Sequence, residues 1–208
     1  WFTLCRKPNR ILTNGTGKKK KEKSSGHILV PIATPSSLQA HWASVVAVGS
    51  SIYAIGGPRK FSSDVWVLDC HSHVWRKAPN MLVERNQPAA NVVDGKIYVA
   101  GGVNSFTCSN WIEGFDPKRE VVACPLAERC STWVFKSAVI DGRIFYMFVY
   151  EGVVYDPKED RWEEVGGETD FHLGWTWLSY CVIDNVLCCF SSDRFVWYKR
   201  ERDESGCI

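Results

Sequence analysis

The sequence predicts an all-β fold, a partial β-propeller built from repeated antiparallel blades of four strands. Two repeating patterns support this prediction. The nine residues 49–57 (GSSIYAIGG) return 45 residues later as residues 94–102 (DGKIYVAGG), and a strand ending in aspartate follows each copy. A repeat of 40–47 residues that holds four short strands is typical of a propeller blade.

The first pattern marks the inner hairpin of each blade. A third copy begins at Asp141, 47 residues after the second, and a degraded fourth copy begins at Asp184 after a further 43. The dipeptide that opens each copy tolerates the positive φ angles of a tight hairpin turn. The runs that follow are apolar at successive positions, so we expect strands covered on both faces. The predicted second strands are Ile52–Ile55, Ile97–Ala100 and Ile144–Met147, and the predicted first strands are Ser44–Val48, Ala89–Val93, Ser137–Ile140 and Tyr180–Ile183.

The second pattern predicts the outer half of each blade. Strands that end at Asp69, Asp116 and Asp156 precede a turn, where the carboxylate caps the backbone and a following proline, present in two cases, presets φ. A tryptophan stands six residues after the aspartate in the first and third units, at Trp75 and Trp162. We expect both rings to fill the space between neighbouring blades.

These patterns divide the chain into five units. Residues 1–32 are expected to form a partial blade of two strands, Trp1–Arg6 and His27–Ile32, with a basic flexible loop at residues 14–26. Complete repeats are expected at residues 33–82, 83–128 and 129–170. Residues 171–208 are expected to form a degenerate and incomplete repeat without its last strand, because Lys199 replaces the aspartate and no tryptophan follows.

Composition excludes several classes of protein. The net charge is +2, but the run from Lys18 to Lys23, with five lysines and one glutamate, contributes +4, so the rest of the chain carries −2. No broad basic face for nucleic acid is therefore expected, although the run itself has two readings, a solvated loop or a nuclear import or nucleic-acid contact. No apolar stretch approaches the roughly 20 residues that span a bilayer. Nine cysteines without a signal peptide favour a reducing, intracellular location in the cytoplasm or nucleus.

No reaction chemistry is expected. Cys70-His71-Ser72-His73 brings three possible metal ligands together on a predicted turn, but zinc sites normally need a second, separated pair of ligands. Cys188 and Cys189 are adjacent on a predicted strand, where alternation directs neighbouring side chains to opposite faces, so packing is favoured over redox chemistry. The paired general acid and base that catalysis requires are also missing. We therefore expect no metal, no cofactor and no enzymatic activity.

Several of these residues resemble a known family. The diglycines Gly56-Gly57 and Gly101-Gly102, an aromatic shortly before each, and the tryptophan six residues beyond the aspartate resemble kelch repeats. The opening residues 1–8 (WFTLCRKP) and their spacing to residues 49–57 resemble plant F-box/kelch-repeat proteins over most of the chain. The diglycine is lost in the third and fourth units, where residues 148–149 and 191–192 replace it. The resemblance covers the kelch portion only, without the helical F-box segment, and implies further strands upstream and further blades downstream.

The resemblance also implies a function. It predicts a non-catalytic protein-interaction module that recognises the substrate of an SCF-type ubiquitin ligase, in which an F-box would bind the adaptor. The alternative is a stand-alone kelch scaffold or a truncated gene fragment without a ligase role. The expected partner is a protein target, with the SCF adaptor added only where an F-box lies upstream, and with neither membrane nor nucleic acid as a partner.

The candidate binding site is the rim at which the chain enters each blade. The residues just before each first strand recur around the ring, and the resemblance places them at the mouth of the central channel. Tryptophan and arginine are enriched at interface hot spots, although capping of the core is the alternative role for these tryptophans. The predicted rim consists of Trp42, Arg85, Asn86, Gln87, Trp133, Trp175 and Trp177.

Overall fold

The structure, a computed structural model, contains strands, turns and loops. It describes residues 1–7, 10–13, 19–22, 26–38, 44–104, 110–119, 121–123, 134, 136–148, 152–165, 180–191, 194–199 and 204–207. The described residues hold twenty β-strands and no α-helix, which confirms the predicted all-β class. Among these residues, accordingly, no helix has the length and apolar character needed to cross a membrane.

The strands follow one another along the chain in antiparallel pairs. Their bounds are β1 Phe2–Arg6, β2 Arg10–Thr13, β3 Lys19–Glu22, β4 His27–Pro31, β5 Val45–Val48, β6 Ser51–Ile55, β7 Val65–Asp69, β8 Val74–Lys77, β9 Ala89–Val93, β10 Lys96–Ala100, β11 Ile112–Asp116, β12 Val121–Ala123, β13 Lys136–Ile140, β14 Arg143–Met147, β15 Gly152–Asp156, β16 Arg161–Val165, β17 Tyr180–Ile183, β18 Val186–Ser191, β19 Arg194–Lys199 and β20 Glu204–Cys207.

Four sheets are meanders of four consecutive strands, β5 to β8, β9 to β12, β13 to β16 and β17 to β20. We call them blades 1 to 4. The pair β1 and β4 forms the N-terminal sheet, as the sequence predicts for these two segments, and β2 and β3 form a separate hairpin between them. The predicted second strands are β6, β10 and β14, which confirms the position of the inner hairpins.

The hairpin turns have the backbone conformation that their residues favour. Asp94 and Gly95 have φ angles of 49° and 75°, and Asp141 and Gly142 have 51° and 73°. Two consecutive positive φ angles define a two-residue type I′ turn, whose twist matches that of the flanking strands. The outer turns also follow prediction, since Asp116 Oδ1 accepts a hydrogen bond from the Lys118 amide at 2.9 Å and Asp156 Oδ1 accepts one from Lys158 at 2.9 Å.

The hydrophobic core lies between the sheets. In β10, Ile97 and Val99 pack toward blade 1, whereas Tyr98 and Ala100 pack toward blade 3. The same alternation divides β14 between the core it shares with blade 2 and the core it shares with blade 4. Because each inner strand is covered on both sides, both sets of alternate residues must be apolar. This explains the weak two-residue periodicity of the sequence.

The predicted aromatic positions are occupied as expected. Trp75 is buried between the N-terminal sheet and blade 1, where its ring meets Trp1 edge-on at 5.0 Å. Trp162 packs against the core between blades 2 and 3, with its ring 4.6 Å from that of Tyr155. Both tryptophans stand opposite the residue that precedes the turn aspartate, and Val122 occupies the same register position in blade 2.

The diglycines allow neighbouring segments to approach closely. Gly102 has a φ of 68°, and a Cβ there would lie 2.5 Å from the carbonyl oxygen of Asn86. A Cβ on Gly101 would lie 2.8 Å from Cγ2 of Val134, just before blade 3. Glycine is therefore required at these positions for two reasons, the left-handed backbone and the lack of space.

Two expectations about the ends of the chain are wrong. Blade 4 is not short of a strand, because β20 pairs with β19 from Lys199 opposite Glu204 to Val196 opposite Cys207. An outer strand is held by its backbone ladder, so this pairing does not require the aspartate and tryptophan that the sequence pattern seeks.

The basic segment at residues 14–26 is also not wholly a flexible loop. Its part Lys19–Glu22 is β3, which pairs with Arg10–Thr13 from Thr13 opposite Lys19 to Arg10 opposite Glu22. A ladder is made by backbone groups, so a run of lysines is compatible with it.

We predict that Gly102→Ala destabilises the protein more than Gly95→Ala does. Both glycines have positive φ, but a Cβ at Gly95 meets no atom within 4 Å. The control should therefore lose only the cost of a left-handed non-glycine residue, about 1–2 kcal/mol. The variant should add the cost of displacing the Asn86 backbone. Urea denaturation of both variants measures the difference, and equal losses would contradict a steric role for Gly102.

Candidate protein-binding rim

The first strands of the four blades lie side by side. Strand β5 contacts β9, β9 contacts β13, and β13 contacts β17. The starts of these strands, where the lead-in segments end, therefore lie at neighbouring positions although they are roughly 45 residues apart in sequence. The rim proposed from the sequence consists of these lead-in segments.

A chain of polar contacts joins the first strands to one another. Ser44 is fully buried and its Oγ donates to the carbonyl of Pro88 at 2.7 Å, which links the starts of β5 and β9. Asn91 Nδ2 donates to Ser137 Oγ at 3.0 Å, which links β9 to β13. The Tyr180 hydroxyl donates to the Ser137 carbonyl at 2.7 Å, which links β13 to β17. We call this set the inner belt, and it fixes the spacing of the first strands.

Gln87 is the described rim residue that faces solvent. It is exposed, has a φ of 52°, and donates from Nε2 to the carbonyl of Pro58 at 2.6 Å. Its amide donates to the carbonyl of Gly57 at 2.8 Å, so blade 1 holds its backbone in place. Asn86 is half-buried, and no donor among the described residues reaches its Oδ1. The surface amide of Gln87 suits recognition of a polar group, whereas the Oδ1 atom of Asn86 is itself buried.

Arg85 has a different environment from its two neighbours. Its side chain is completely buried, and Nη2 lies 2.7 Å from Oε1 of Glu113, which is 2% exposed. Nε donates to the same oxygen at 3.1 Å. Nη1 donates to the carbonyls of Gly101 at 2.7 Å and Trp111 at 2.9 Å, and Nη2 also donates to the carbonyl of Asn110. These five bonds match the five N–H donors of a guanidinium.

Both ends of this ion pair are anchored. The backbone amide of Arg85 donates to the carbonyl of Ser62 at 3.0 Å, and its carbonyl accepts from the amides of Gly57 and Ser62. The second carboxylate oxygen of Glu113 accepts from the amide of Leu82 at 2.6 Å. The backbone of Arg85 is thus bound to blade 1 while its side chain is bound inside blade 2. The pair forms a latch across the seam between the two blades.

The prediction that Arg85 offers its side chain to a partner is therefore corrected. A guanidinium with no exposed surface, whose donors are matched by a carboxylate and three carbonyls, cannot form an interface contact without leaving the core. The sequence contained a signal for this arrangement. Glu113 occupies the register position held by Trp66 in blade 1 and Val153 in blade 3, so a charge replaces an apolar residue there. A buried glutamate needs a cationic partner, and Arg85 supplies it.

The four rim tryptophans, Trp42, Trp133, Trp175 and Trp177, lie outside the described residues. The structure therefore brings together Arg85, Asn86 and Gln87 from the predicted set. Sequence reasoning did not find the inner belt, in which Ser44, Asn91, Ser137 and Tyr180 bridge the first strands. Their signal in the sequence is a polar residue at the start of, or within, an otherwise apolar first strand.

Three tyrosines with shifted pKa values also lie near the seams. Burial raises the pKa of Tyr146 and of Tyr155 well above the ordinary value, and the hydrogen bond from the Tyr155 hydroxyl to Asp160 raises the pKa of Tyr155 further. Burial also raises the pKa of Tyr180, although its bond with the Ser137 backbone opposes the shift. These hydroxyls remain protonated at neutral pH, and those of Tyr155 and Tyr180 donate hydrogen bonds, to Asp160 and to the Ser137 carbonyl.

The segment Cys70–His73 forms the turn between β7 and β8, as predicted. The carboxylate Oδ1 of Asp69 accepts from the amides of His71 at 2.7 Å and Ser72 at 3.3 Å. These bonds lower the pKa of Asp69, with the His71 amide as the largest cause. The aspartate therefore stabilises the turn, which is its expected role.

Comparison with known proteins places the chain in a family. A family model described as "FKB95, Kelch-repeats domain" matches residues 1–208. An F-box/kelch-repeat protein of Arabidopsis thaliana is 50% identical over 204 residues, an alignment that covers 95% of this chain and 52% of the relative. The chain belongs to the plant F-box/kelch-repeat family.

The chain is shorter than the relatives that it matches. A second Arabidopsis F-box/kelch-repeat protein is 49% identical over 210 residues and covers 95% of this chain and 53% of the relative. The chain thus spans about half the length of these two curated relatives. The solved structure of YjhT aligns with a TM-score of 0.64 at 10% identity, over 86% of this chain and 68% of that one. This similarity shows the fold, and the sheets described above are blades of a partial kelch-type propeller.

We predict that the Arg85–Glu113 latch of this kelch-repeat chain contributes strongly to stability. Arg85→Ala should cost about 3–5 kcal/mol, because it leaves the Glu113 carboxylate buried without its cation. Glu113→Ala should cost a similar amount, and the double variant should cost clearly less than the sum of the two. The measurement is a double-mutant cycle by urea denaturation.

The matched control breaks an exposed ion pair. Lys77 Nζ lies 2.9 Å from Asp64, and its side chain is 55% exposed. Lys77→Ala should therefore cost about 1 kcal/mol or less. Additive losses in the Arg85–Glu113 cycle, or losses as small as that of the control, would contradict the latch.

We also predict that stability falls as pH rises above about 10, the ordinary pKa of tyrosine. Tyr180 keeps its proton in the folded state because its pKa there is raised, whereas the unfolded chain releases it at the ordinary value. The unfolded state then binds fewer protons, so the free energy of unfolding decreases with pH. Tyr180→Phe should have a shallower slope between about pH 9 and 11 than the parent chain. Identical slopes would show that Tyr180 does not contribute.

Proposed function

We propose that this chain is the non-catalytic, substrate-recognition propeller of an F-box/kelch protein that acts in an SCF-type ubiquitin ligase. Two observations carry this proposal, the match of the kelch-repeats family model to residues 1–208 and the 50% identity to an Arabidopsis F-box/kelch-repeat protein. In such a protein the F-box binds the ligase adaptor and the propeller binds the target. The kelch portion would thus select which protein receives ubiquitin.

The geometry of the rim supports a binding role. The inner belt holds the first strands of successive blades side by side, so that strand starts distant in sequence lie next to one another. Gln87 offers an exposed amide on a backbone that is fixed by hydrogen bonds to Gly57 and Pro58. A rigid support lowers the entropy that is lost when a side chain is ordered by a partner. Rigid loops on a stable scaffold are also typical of recognition surfaces.

The proposed target is a protein segment with apolar and amide or acidic side chains. Trp42, Trp133, Trp175 and Trp177 remain the proposed aromatic anchors, and Asn86 and Gln87 are the proposed polar contacts. Aromatic anchors surrounded by a few directed hydrogen bonds are the usual composition of an interface hot spot. Arg85 is not a contact in this proposal. It holds the backbone on which Asn86 and Gln87 are presented.

The ligase role is tested with the full-length gene product. It should co-precipitate the SCF adaptor and should promote transfer of ubiquitin to the protein that the propeller captures. The 208-residue chain should bind the same target without binding the adaptor. A full-length product that captures the target but never the adaptor would favour the alternative of a stand-alone kelch scaffold.

We predict that Gln87→Ala weakens target binding by roughly fivefold or more with little loss of stability, because Gln87 is exposed and its side chain makes one surface hydrogen bond, to the Pro58 carbonyl. The matched control is His71→Ala, another exposed residue, in the β7–β8 turn away from the first strands. Binding of the identified target is measured by calorimetry with the parent and both variants. Equal affinities for all three proteins would contradict the proposed rim while leaving the ligase role to the adaptor experiment.

A further inference from the structure

Two cysteines face each other in the first hairpin of blade 4. Cys181 in β17 is the direct register partner of Cys188 in β18. Residues directly opposite each other in an antiparallel pair direct their side chains to the same face of the sheet. Both thiols are free, Cys181 is exposed, and Cys188 is half-buried. The pair therefore forms a dithiol on the accessible face of this hairpin.

The separation of the two residues follows from the turn that joins the strands. Asp184 and Asn185 have φ angles of 50° and 62°, the values of a two-residue type I′ turn. Ile183 and Val186 flank such a turn as a hydrogen-bonded pair, and two steps further along the ladder Cys181 and Cys188 form another. Hydrogen-bonded pairs have Cα atoms about 5.5 Å apart. Disulfides accept Cα separations of roughly 4.4–6.8 Å, so a bridge fits without unpairing the strands.

The surroundings distinguish the two sulfurs. Partial burial raises the pKa of the Cys188 thiol, and the negative charge of a Cys181 thiolate raises it further. This second cause arises because the two sulfurs lie within electrostatic reach of each other. The Cys188 Sγ also lies 3.7 Å from the carbonyl of Val186, to which it donates. Cys181 is thus the sulfur that solvent reaches first, and Cys188 is the protonated partner behind it.

Other described cysteines have no such partner in register. Cys5 in β1 stands opposite Ile28, and Cys70 lies in the β7–β8 turn. The neighbouring Cys189 stands opposite Tyr180 in the ladder. Among the paired strands of the described residues, Cys181 and Cys188 are thus the cysteines that the register places opposite one another.

We propose that Cys181 and Cys188 are a modification site, a dithiol that hydrogen peroxide oxidises to a cross-strand disulfide. The Cys181 thiolate attacks one peroxide oxygen, which forms an S–O bond, breaks the O–O bond and yields a sulfenic acid and hydroxide. The Cys188 sulfur then attacks the sulfenic sulfur, which forms the S–S bond and breaks the S–O bond. The proton of each thiol goes to the departing hydroxide. Two thiols are oxidised, and one peroxide is reduced to two waters.

The bridge would alter the face of blade 4 that is turned away from blade 3. It replaces two polarisable thiols by a covalent link between β17 and β18 and prevents the hairpin from opening. The side chains of an antiparallel pair stand somewhat farther apart than the Cβ atoms of a relaxed disulfide, so the two strands must converge slightly. Strained and exposed disulfides are the readily reducible ones. Thiols in excess should therefore restore the reduced form.

The test is peptide mapping of the folded 208-residue chain after treatment with hydrogen peroxide and alkylation of the remaining thiols. Trypsin releases residues 162–194 as one peptide, which contains Cys181, Cys188 and Cys189. We expect this peptide to lose two hydrogens and to carry one alkyl group. Further cleavage after Leu187 should leave its two halves joined until a reductant is added.

The variants identify which sulfurs are joined. Cys188→Ser and Cys181→Ser should each abolish the bridge, and the second change lies at an exposed position that should not disturb folding. The matched control is Cys189→Ser, the same substitution one residue away, which should keep the bridge. A bridge that survives Cys188→Ser, that is lost in Cys189→Ser, or that fails to form while Cys70 becomes oxidised in the same sample would overturn the proposal.

Discussion

Blades 1 to 3 of this protein are each covered on both faces by another described sheet, and the rest of the structure depends on that constraint. An inner strand with two covered faces must be apolar at successive positions, which is why Ile97, Tyr98, Val99 and Ala100 are all buried. Close stacking of the blades also restricts the loops between them. At Gly101 and Gly102 a single Cβ would collide with the lead-in segment of blade 3 or of blade 2. The diglycine and the apolar run therefore have the same physical origin.

The sequence predicted the parts of the fold that local chemistry determines. The hairpin turns follow from dipeptides that accept positive φ, and the turn after each third strand follows from an aspartate whose carboxylate binds nearby amides. Those rules involve residues only a few positions apart. They located the inner strands and the two inter-blade tryptophans. The fourth strand of blade 4 and the β2–β3 hairpin were missed because a backbone ladder leaves no required side-chain signature.

The candidate site was less predictable, because its residues act over long separations. Arg85 was assigned to the rim by its position before a first strand, a criterion that fixes where its backbone lies. The direction of its side chain depends on Glu113, 28 residues later, and on three carbonyls that only the folded blade brings together. The inner belt has the same character, since Asn91 and Ser137 are 46 residues apart. The position of a residue within a repeat thus predicts where its backbone lies, but it does not predict what surrounds its side chain.

The Arg85–Glu113 pair also affects which of the similar repeats pack against each other during folding. Blades 1 to 3 carry near-copies of the same hairpin, so a folding chain has several apolar surfaces of similar shape to choose from. Counting back from the aligned first strands, Ala40 and Thr132 occupy the position of Arg85 in the other units. An exchange of repeats would bury Glu113 beside a side chain that cannot neutralise it. The ion pair therefore makes one arrangement of the repeats more stable than the others. Any other neighbour of blade 2 would leave the Glu113 carboxylate buried without a cation.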